Sequence, residues 1–175
     1  YEGRWDEVRA EIEKGADPDA LLETSGDSIL FFAAKQGNIE MVRFLHAKGA
    51  KPDVMSPSGE TPLYAAADSC QPEIVKLLMA HGADPRRPTS FHGTVMHVAA
   101  RNCTELISFF ASRGLSVNME NAQSNELTPL MAAASTGNVD GARELLRLGA
   151  DIHRLNRDRE NVFDYIFHLK NSKVL

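Results

Sequence analysis

The sequence predicts an all-α solenoid built from stacked copies of a unit of about 33 residues. Glycine ends an apolar stretch five times, at intervals of 34, 33, 32 and 35 residues. A unit this short cannot bury its own apolar face, so its neighbours must cover it. A second motif, a hydroxyl residue followed by apolar residues and alanines, recurs at a similar period. The five glycines are Gly15, Gly49, Gly82, Gly114 and Gly149.

Each of these glycines marks the end of a predicted helix. In the stretch from Ile74 to Asp84, apolar residues recur at helical spacing and define one buried face. Gly82 supplies the left-handed turn after the last helical residues, and Pro85 prevents the helix from continuing. The same pattern precedes Gly149.

The second motif marks the start of a helix. Thr61 and Thr128 are placed to cap the first amides, and Pro62 and Pro129 occupy the first helical position, where proline loses no hydrogen bond. The alanines that follow allow close approach of a neighbouring helix. Degenerate copies of this motif lie at 28–34 and 94–100.

With these two motifs, the chain resembles the ankyrin repeat family. The unit of that family is a turn with two antiparallel helices, with a threonine-proline-leucine-histidine opening and a glycine-alanine-aspartate close. Gly37 and Gly137 fall three residues after Ala34 and Ala134, as the inter-helix turn of the family requires. The resemblance covers the whole chain and implies an ankyrin-repeat solenoid of helix-turn-helix units with fingertip β-turns or hairpins.

The repeat register predicts one domain over residues 1–175. The first unit contains only its second helix, from about Trp5 to Lys14, with Val8 and Ile12 on the buried face. In the final half-unit, Ile166 and Phe167 replace the alanine pair, which indicates a cap with no helix pair packed closely behind it. The predicted units are a partial repeat at 1–20, full repeats at 21–53, 54–86, 87–119 and 120–152, and a C-terminal capping half-repeat at 153–175.

Composition and charge narrow the class of partner. With 43% hydrophobic and 25% charged residues and no apolar run of membrane-spanning length, we expect a monomeric, cytoplasmic or nuclear protein without membrane insertion. Residues 1–27 hold nine acids and three bases, a net charge of −6, whereas 128–175 hold seven bases and six acids, a net charge of +1. The acidic end favours a neutral or basic protein partner over nucleic acid, although a solvated first repeat explains it equally well.

The two cysteines are expected to be free thiols. Cys70 and Cys103 occupy the same slot of consecutive repeats, three residues after Ala67 and Ala100. Equivalent atoms of packed helices lie about 8 to 10 Å apart, whereas a disulfide needs Cα atoms within about 7 Å. Reduced cysteines fit the cytosol or nucleus.

No enzyme signature is present, and we expect neither catalysis nor a cofactor. The sequence lacks a Gly-rich phosphate loop, a His-Glu-x-x-His motif, a Cys-x-x-Cys pair and a Gly-x-Ser-x-Gly elbow. His97 falls where the family's histidine bonds its own threonine, here Thr94, so a structural role is favoured. His46 and His81 lie near second-helix ends of adjacent repeats, where solvated side chains are favoured over a metal pair because no other ligand accompanies them.

The resemblance implies a concave binding face formed by the fingertips and the exposed side of each first helix. We expect a protein or peptide to bind there, centred on repeats three to five. In the fourth repeat, Phe91, His92 and Arg101 offer a ring and cations to an acidic or aromatic peptide, although a degenerate fingertip folded over its neighbours is an equal alternative. The predicted binding residues are Lys35, Gln36, Ser58, Glu60, Asp68, Ser69, Arg86, Arg87, Phe91, His92, Arg101, Asn102, Asn125 and Leu127.

Departures from regular spacing point to the same region. The inter-helix turn of the fourth repeat is one residue shorter than in the second repeat, and the link from Gly114 to Thr128 is two residues longer than elsewhere, at 14 residues against 12. The predicted function is a scaffold or adaptor. A regulatory or targeting segment of a larger enzyme or channel is the main alternative, and a modified-lysine reader is disfavoured because Trp5 is the only tryptophan.

Overall fold

The computed structural model describes residues 4–89, 93–121 and 125–172, the last five of these by backbone alone. These residues form ten helices and no sheet, so the predicted all-α solenoid class is confirmed. The helices are α1 (Trp5–Glu13), α2 (Ile29–Lys35), α3 (Ile39–Ala47), α4 (Pro62–Asp68), α5 (Pro72–Ala80), α6 (Val95–Asn102), α7 (Thr104–Ser112), α8 (Pro129–Thr136), α9 (Val139–Arg147) and α10 (Val162–Ser172).

The chain divides into two compact units. The first, Tyr1–Asp84, contains α1 to α5, and the second, Pro85–Leu175, contains α6 to α10. Within each unit the first helices of consecutive repeats pack on one another, α2 on α4, α6 on α8 and α8 on α10. Each full repeat also packs its own first helix against its second. A single domain over 1–175 stays a prediction.

The helix starts follow the predicted capping chemistry. The side-chain oxygens of Ser28, Thr61 and Thr128 each accept a hydrogen bond from the amide three residues on, at 3.1, 3.2 and 3.3 Å. Pro62 and Pro129 open α4 and α8. A capped amide and a proline at the first position both fix where a helix begins.

The helix ends also lie where the glycines predict. All five period-marking glycines have a positive φ, from 81° at Gly114 to 107° at Gly15, which is the left-handed region that residues with a Cβ disfavour. Each lies two residues beyond the end of its helix. The five predicted helix ends therefore lie at their glycines, whereas the boundaries of the repeats stay a prediction.

Small residues on the first helices and large ones on the second helices form the core. Ala33, Ala66 and Ala99 are fully buried, and so are Leu45 and Leu78 on the second helices. Alanine lets two helices approach closely while leucine fills the space between them, which is how a nine-residue helix buries an apolar face.

The turns between paired helices differ in length. Three residues separate α4 from α5, whereas only Cys103 separates α6 from α7. The predicted shortening of the turn in the fourth repeat is therefore confirmed.

The expectation of free thiols is wrong, because Cys70 and Cys103 are both disulfide-bonded. Cys70 lies in the turn after α4 at φ 48°, and Cys103 lies between two helices at φ −146°. Neither cysteine belongs to a helix, so the distance between packed helix axes does not limit their geometry. Intracellular location therefore stays a prediction without support from the cysteines.

Candidate protein-binding surface

Hydrogen bonds close the base of three fingers. In the third repeat, the amide of Ser56 donates to the Glu60 carbonyl at 2.8 Å, and the Glu60 amide donates to Ser56 Oγ at 3.0 Å. Thr89 and Gly93 repeat this turn one period later, where the Thr89 amide and hydroxyl both donate to the Gly93 carbonyl at 3.0 Å. Asn156 and Glu160 repeat it again. These hydrogen bonds therefore fix the residues at which each finger begins and ends.

The first unit places its predicted binding residues at helix ends and on one finger. Lys35 and Gln36 are exposed where α2 ends, and Asp68 is exposed where α4 ends. The remaining three are Ser69, which is partly buried, Ser58, which is exposed, and Glu60, which is partly buried.

The second unit places two arginines before the finger of the fourth repeat and a third at the end of α6. Arg86 and Arg87 are exposed before the turn, and Arg101 is partly exposed in the last turn of α6, next to the exposed Asn102. Residues 85–103 contain these three arginines and no acidic residue, although the whole chain has a net charge of −5. This stretch is therefore locally basic. The predicted Phe91 and His92 lie outside the described residues.

The finger of the fifth repeat has a different structure and is attached to the next finger. Asn121 and Leu127 form an isolated antiparallel bridge. Asn125 adopts φ 53°, its side-chain nitrogen donates to Asp158 at 2.7 Å, and its carbonyl accepts from the Arg157 amide at 3.1 Å. Asn125 therefore holds two fingers together, a structural task that its sequence position did not reveal. Leu127 is partly buried.

His97 has the structural role that the sequence favours. Its Nε2 lies 2.9 Å from the Leu127 carbonyl, which can only accept, so Nε2 carries the proton and Nδ1 accepts from the Thr94 amide at 3.3 Å. Burial lowers the pKa of His97 to about 4, against the opposing effect of the Leu127 carbonyl, and nearby Arg101 lowers it further. His97 is thus a neutral link between α6 and the following finger, which excludes it as a solvent-facing base.

His46 and His81 form a ring stack in the first unit. Their ring centroids are 4.2 Å apart with an interplanar angle of 19°. Burial lowers the pKa of His46, and the charge of His81 lowers it further. His46 is partly buried, so the solvated pair favoured by the sequence is only half correct. Two imidazoles lying face to face share no point at which both can bind one ion.

An exposed apolar face in the second unit was not among the predicted sites. A groove of about 630 Å³ lies between α8, α9 and α10. Val139 and Leu146 of α9 and Phe163 and Ile166 of α10 border it and are all exposed. The substitution of Ile166 for alanine is the sequence signal that marks this face, but we had interpreted it only as a cap.

The repeats have the geometry of a known family. A model of ankyrin repeats in three copies matches residues 3–89 and 86–156. The chain belongs to the ankyrin repeat family. No curated protein matches it.

Family membership sets the general class of function. Ankyrin repeats are generally protein–protein interaction modules and are typically non-catalytic. None of the helices in the described part of the chain combines the length and apolar character that crossing a bilayer requires.

Proposed function

We propose that this chain is a non-catalytic scaffold or adaptor that binds a protein segment on the fingertips and first helices of its repeats. The supporting observation is the locally basic stretch of the fourth repeat, where Arg86 and Arg87 precede the Thr89–Gly93 hydrogen bonds and Arg101 lies in the last turn of α6. Arginine pairs with carboxylates through two parallel hydrogen bonds and stacks on rings. The proposed ligand is an acidic peptide segment that carries an aromatic residue.

The first unit carries its own, more polar set of proposed binding residues. Lys35 and Gln36 are exposed on α2, and Ser58 is exposed on a rigid finger tip. Loops held by a rigid scaffold commonly carry recognition, because little conformational entropy is lost when they bind. In this proposal the polar residues of the first unit form hydrogen bonds to a bound protein segment.

An array of 15-residue peptides tests the proposal directly. The array varies net charge and aromatic content, and the tightest peptide is then titrated by calorimetry against the 175-residue chain. We expect acidic, aromatic peptides to bind best and Arg101→Glu to weaken them by about tenfold or more. Added salt should weaken binding as well, because the arginine side chains are exposed or partly exposed and salt screens their attraction to carboxylates.

Arg43→Glu is the matched control, since Arg43 is an exposed arginine on the second helix α3. It makes the same change in net charge at a position outside the proposed surface. Equal losses in the two variants would show that only net charge matters and would contradict the site. Unchanged affinity in Arg101→Glu would also contradict it.

A further inference from the structure

Exposed aliphatic side chains recur at one position of the fingers. Outside α9 and α10, the large apolar side chains that the described residues expose are Leu21, Met55 and Leu155, at 56%, 49% and 47% exposure. Each follows the glycine that ends the previous helix by six residues. Single exposed apolar residues are ordinary on a protein surface, but they do not ordinarily recur at the same position of a repeat. The recurrence therefore indicates a task for this position.

Met55 is exposed although its finger is hydrogen-bonded on both sides. The Lys51 amide, at the start of this finger, donates to Asp19 Oδ1 of the preceding finger at 2.8 Å. On the other side, Asp53 accepts from the amide of Asp84, the last residue of the first unit, at 3.3 Å. The exposure of Met55 is therefore not caused by a missing neighbour.

Leu21 and Met55 lie on adjacent fingers that are joined at two points. Besides the hydrogen bond to Asp19, the fingers meet where Gly26 leaves room for Pro57, whose Cγ would lie 2.7 Å from a Cβ on that glycine. The first helices of the same repeats, α2 and α4, pack directly on one another, and packed helices lie about 8 to 10 Å apart. We expect the two side chains to repeat at about this distance.

This distance matches one turn of a polyproline II helix. Three residues of that conformation rise about 9 Å and bring residues i and i+3 to the same side. A β-strand does not match, because its same-side residues i and i+2 are only about 7 Å apart. An α-helix would need residues i and i+7 with further apolar residues of its stripe between them, and the two fingers, which the structure describes in full, expose no further large apolar side chain to receive them.

The surroundings of this aliphatic pair are acidic. Residues 21–35 and 54–68, the fingers and first helices of the second and third repeats, contain four acidic residues and one basic residue. Glu23 and Asp27 lie on the same finger as Leu21, and Glu23 is exposed. A cationic side chain of a ligand would pair with these carboxylates, whereas an anionic one would be repelled. The charge therefore favours a basic segment.

We propose that the first unit binds a basic protein segment in polyproline II conformation, with two large apolar side chains three residues apart that contact Leu21 and Met55. This inference rests on the proposed function, because it specifies the segment that the first unit binds. Arginine or lysine side chains of the segment pair with Glu23 and Asp27. Its charge is opposite to that of the segment proposed for the fourth repeat, so peptides of different composition distinguish the two sites.

Fluorescence anisotropy of labelled peptides against the 175-residue chain tests the spacing. The first peptide has two leucines three residues apart among prolines and arginines, and the second has the same composition with the leucines two residues apart. We expect the first to bind at least about tenfold more tightly. A third, longer peptide is a basic helix former with leucines seven residues apart. Equal binding of the first two peptides, or tighter binding of the third, would overturn the polyproline II arrangement.

Serine substitutions at the recurring finger position test the site. Met55→Ser should raise the dissociation constant of the first peptide by about fivefold or more, because it removes an apolar contact and leaves the charge unchanged. Leu21→Ser should act in the same way. Leu155→Ser is the matched control, since Leu155 occupies this position in the second unit, and it should leave the constant unchanged. Thermal unfolding checks that all three variants are folded. Unchanged binding in both Met55→Ser and Leu21→Ser, or an equal loss in Leu155→Ser, would overturn the site.

A second titration separates this inference from the proposed function. The acidic, aromatic peptide selected from the array is measured against Glu23→Gln and Arg101→Glu, beside the basic peptide. We expect Glu23→Gln to weaken only the basic peptide, because it removes a carboxylate from that site. If the acidic peptide depends on Arg101 while the basic peptide fails to bind at up to about 1 mM, the inference is wrong and the proposed function is not affected. If neither class of peptide binds, both are wrong.

Discussion

The first and last helices of the described residues each lack the partner helix of their own repeat, and they expose different side chains there. In the described residues, α1 has no first helix beside it, and α10 has no second helix. α1 carries Glu7 and Glu11 at positions that are apolar in other repeats, so water is an acceptable neighbour. α10 exposes Phe163 and Ile166 instead. The first end nevertheless has an apolar groove of about 390 Å³ lined by Trp5, Val8 and Phe32, so covering either end would bury apolar surface, and the two ends differ in charge.

Both terminal helices are nevertheless attached to their own units. The ring of Trp5 lies 5.8 Å from that of Phe32, and the Arg9 guanidinium lies 4.7 Å from the ring of Phe44. α10 is held by its finger, because Asn156 Nδ2 donates to the Tyr165 hydroxyl at 2.9 Å. One end is fixed by rings and a cation and the other by a buried amide.

Alanine substitutions at matched positions should give the largest difference between the two ends in the free energy of unfolding. Leu145 and Glu11 each lie four residues before the glycine that follows their helix, but Leu145 is fully buried and Glu11 is exposed. We expect Leu145→Ala to lower the free energy of unfolding by about 2 to 5 kcal/mol and Glu11→Ala to change it by less than about 0.5 kcal/mol. Urea unfolding measures both. Similar costs would mean that the two positions are equally packed.

Lowering the pH should destabilise the fold through His97, which lies away from both ends. The folded chain lowers the pKa of His97 to about 4, whereas an unfolded histidine titrates near about 6.5. Between these values only the unfolded chain gains the proton, so the stability due to neutral His97 is complete above about pH 6.5. It falls by about 3 kcal/mol as the pH drops to about 4. Urea unfolding across this range measures the loss.

His97→Gln removes the titrating group and keeps a side chain suited to a capping box. It should flatten the part of the pH profile that belongs to His97, whereas His153→Gln, at an exposed position, should leave that profile as it is. If the two variants have the same profile, the burial of His97 does not control the acid response.

The attachment of α10 should give the smallest effect. Tyr165→Phe removes one acceptor of the Asn156 amide, which still donates to Glu160 at 2.9 Å, so we expect a loss of about 1 kcal/mol. A double-mutant cycle with Asn156→Ala isolates the pair, and its coupling energy should account for most of that loss. A coupling energy near zero would show that the hydrogen bond does not hold α10.

Local chemistry made the fold predictable. Thr128 and Gly149 signal their helix boundaries within a few residues of themselves, because capping and left-handed turns depend on the nearest backbone groups. The capping role of His97 also follows from its distance to Thr94, three residues away.

Contacts that join distant segments could not be predicted in this way. The pairing of Asn125 with Asp158 depends on how two fingers meet, and the cysteines were judged by helix spacing although both lie in turns. The exposed apolar face of the second unit emerged only when the neighbours of Phe163 were known. Of the predicted binding residues, those that the structure describes are exposed or partly exposed, Phe91 and His92 lie outside the described residues, and the role of all of them in binding stays a prediction.

Gly141 limits how freely the repeats of this chain could be exchanged by recombination. Asn138 donates from its side-chain nitrogen to the Ala100 carbonyl at 2.9 Å, and a Cβ on Gly141 would lie 2.7 Å from that same oxygen. The corresponding residue on α5 is Ile74. A crossover that put the α5 segment in place of α9 would keep the family pattern and still bring a branched side chain against a fixed backbone oxygen. Repeats that look interchangeable in sequence therefore cannot be exchanged freely at this junction.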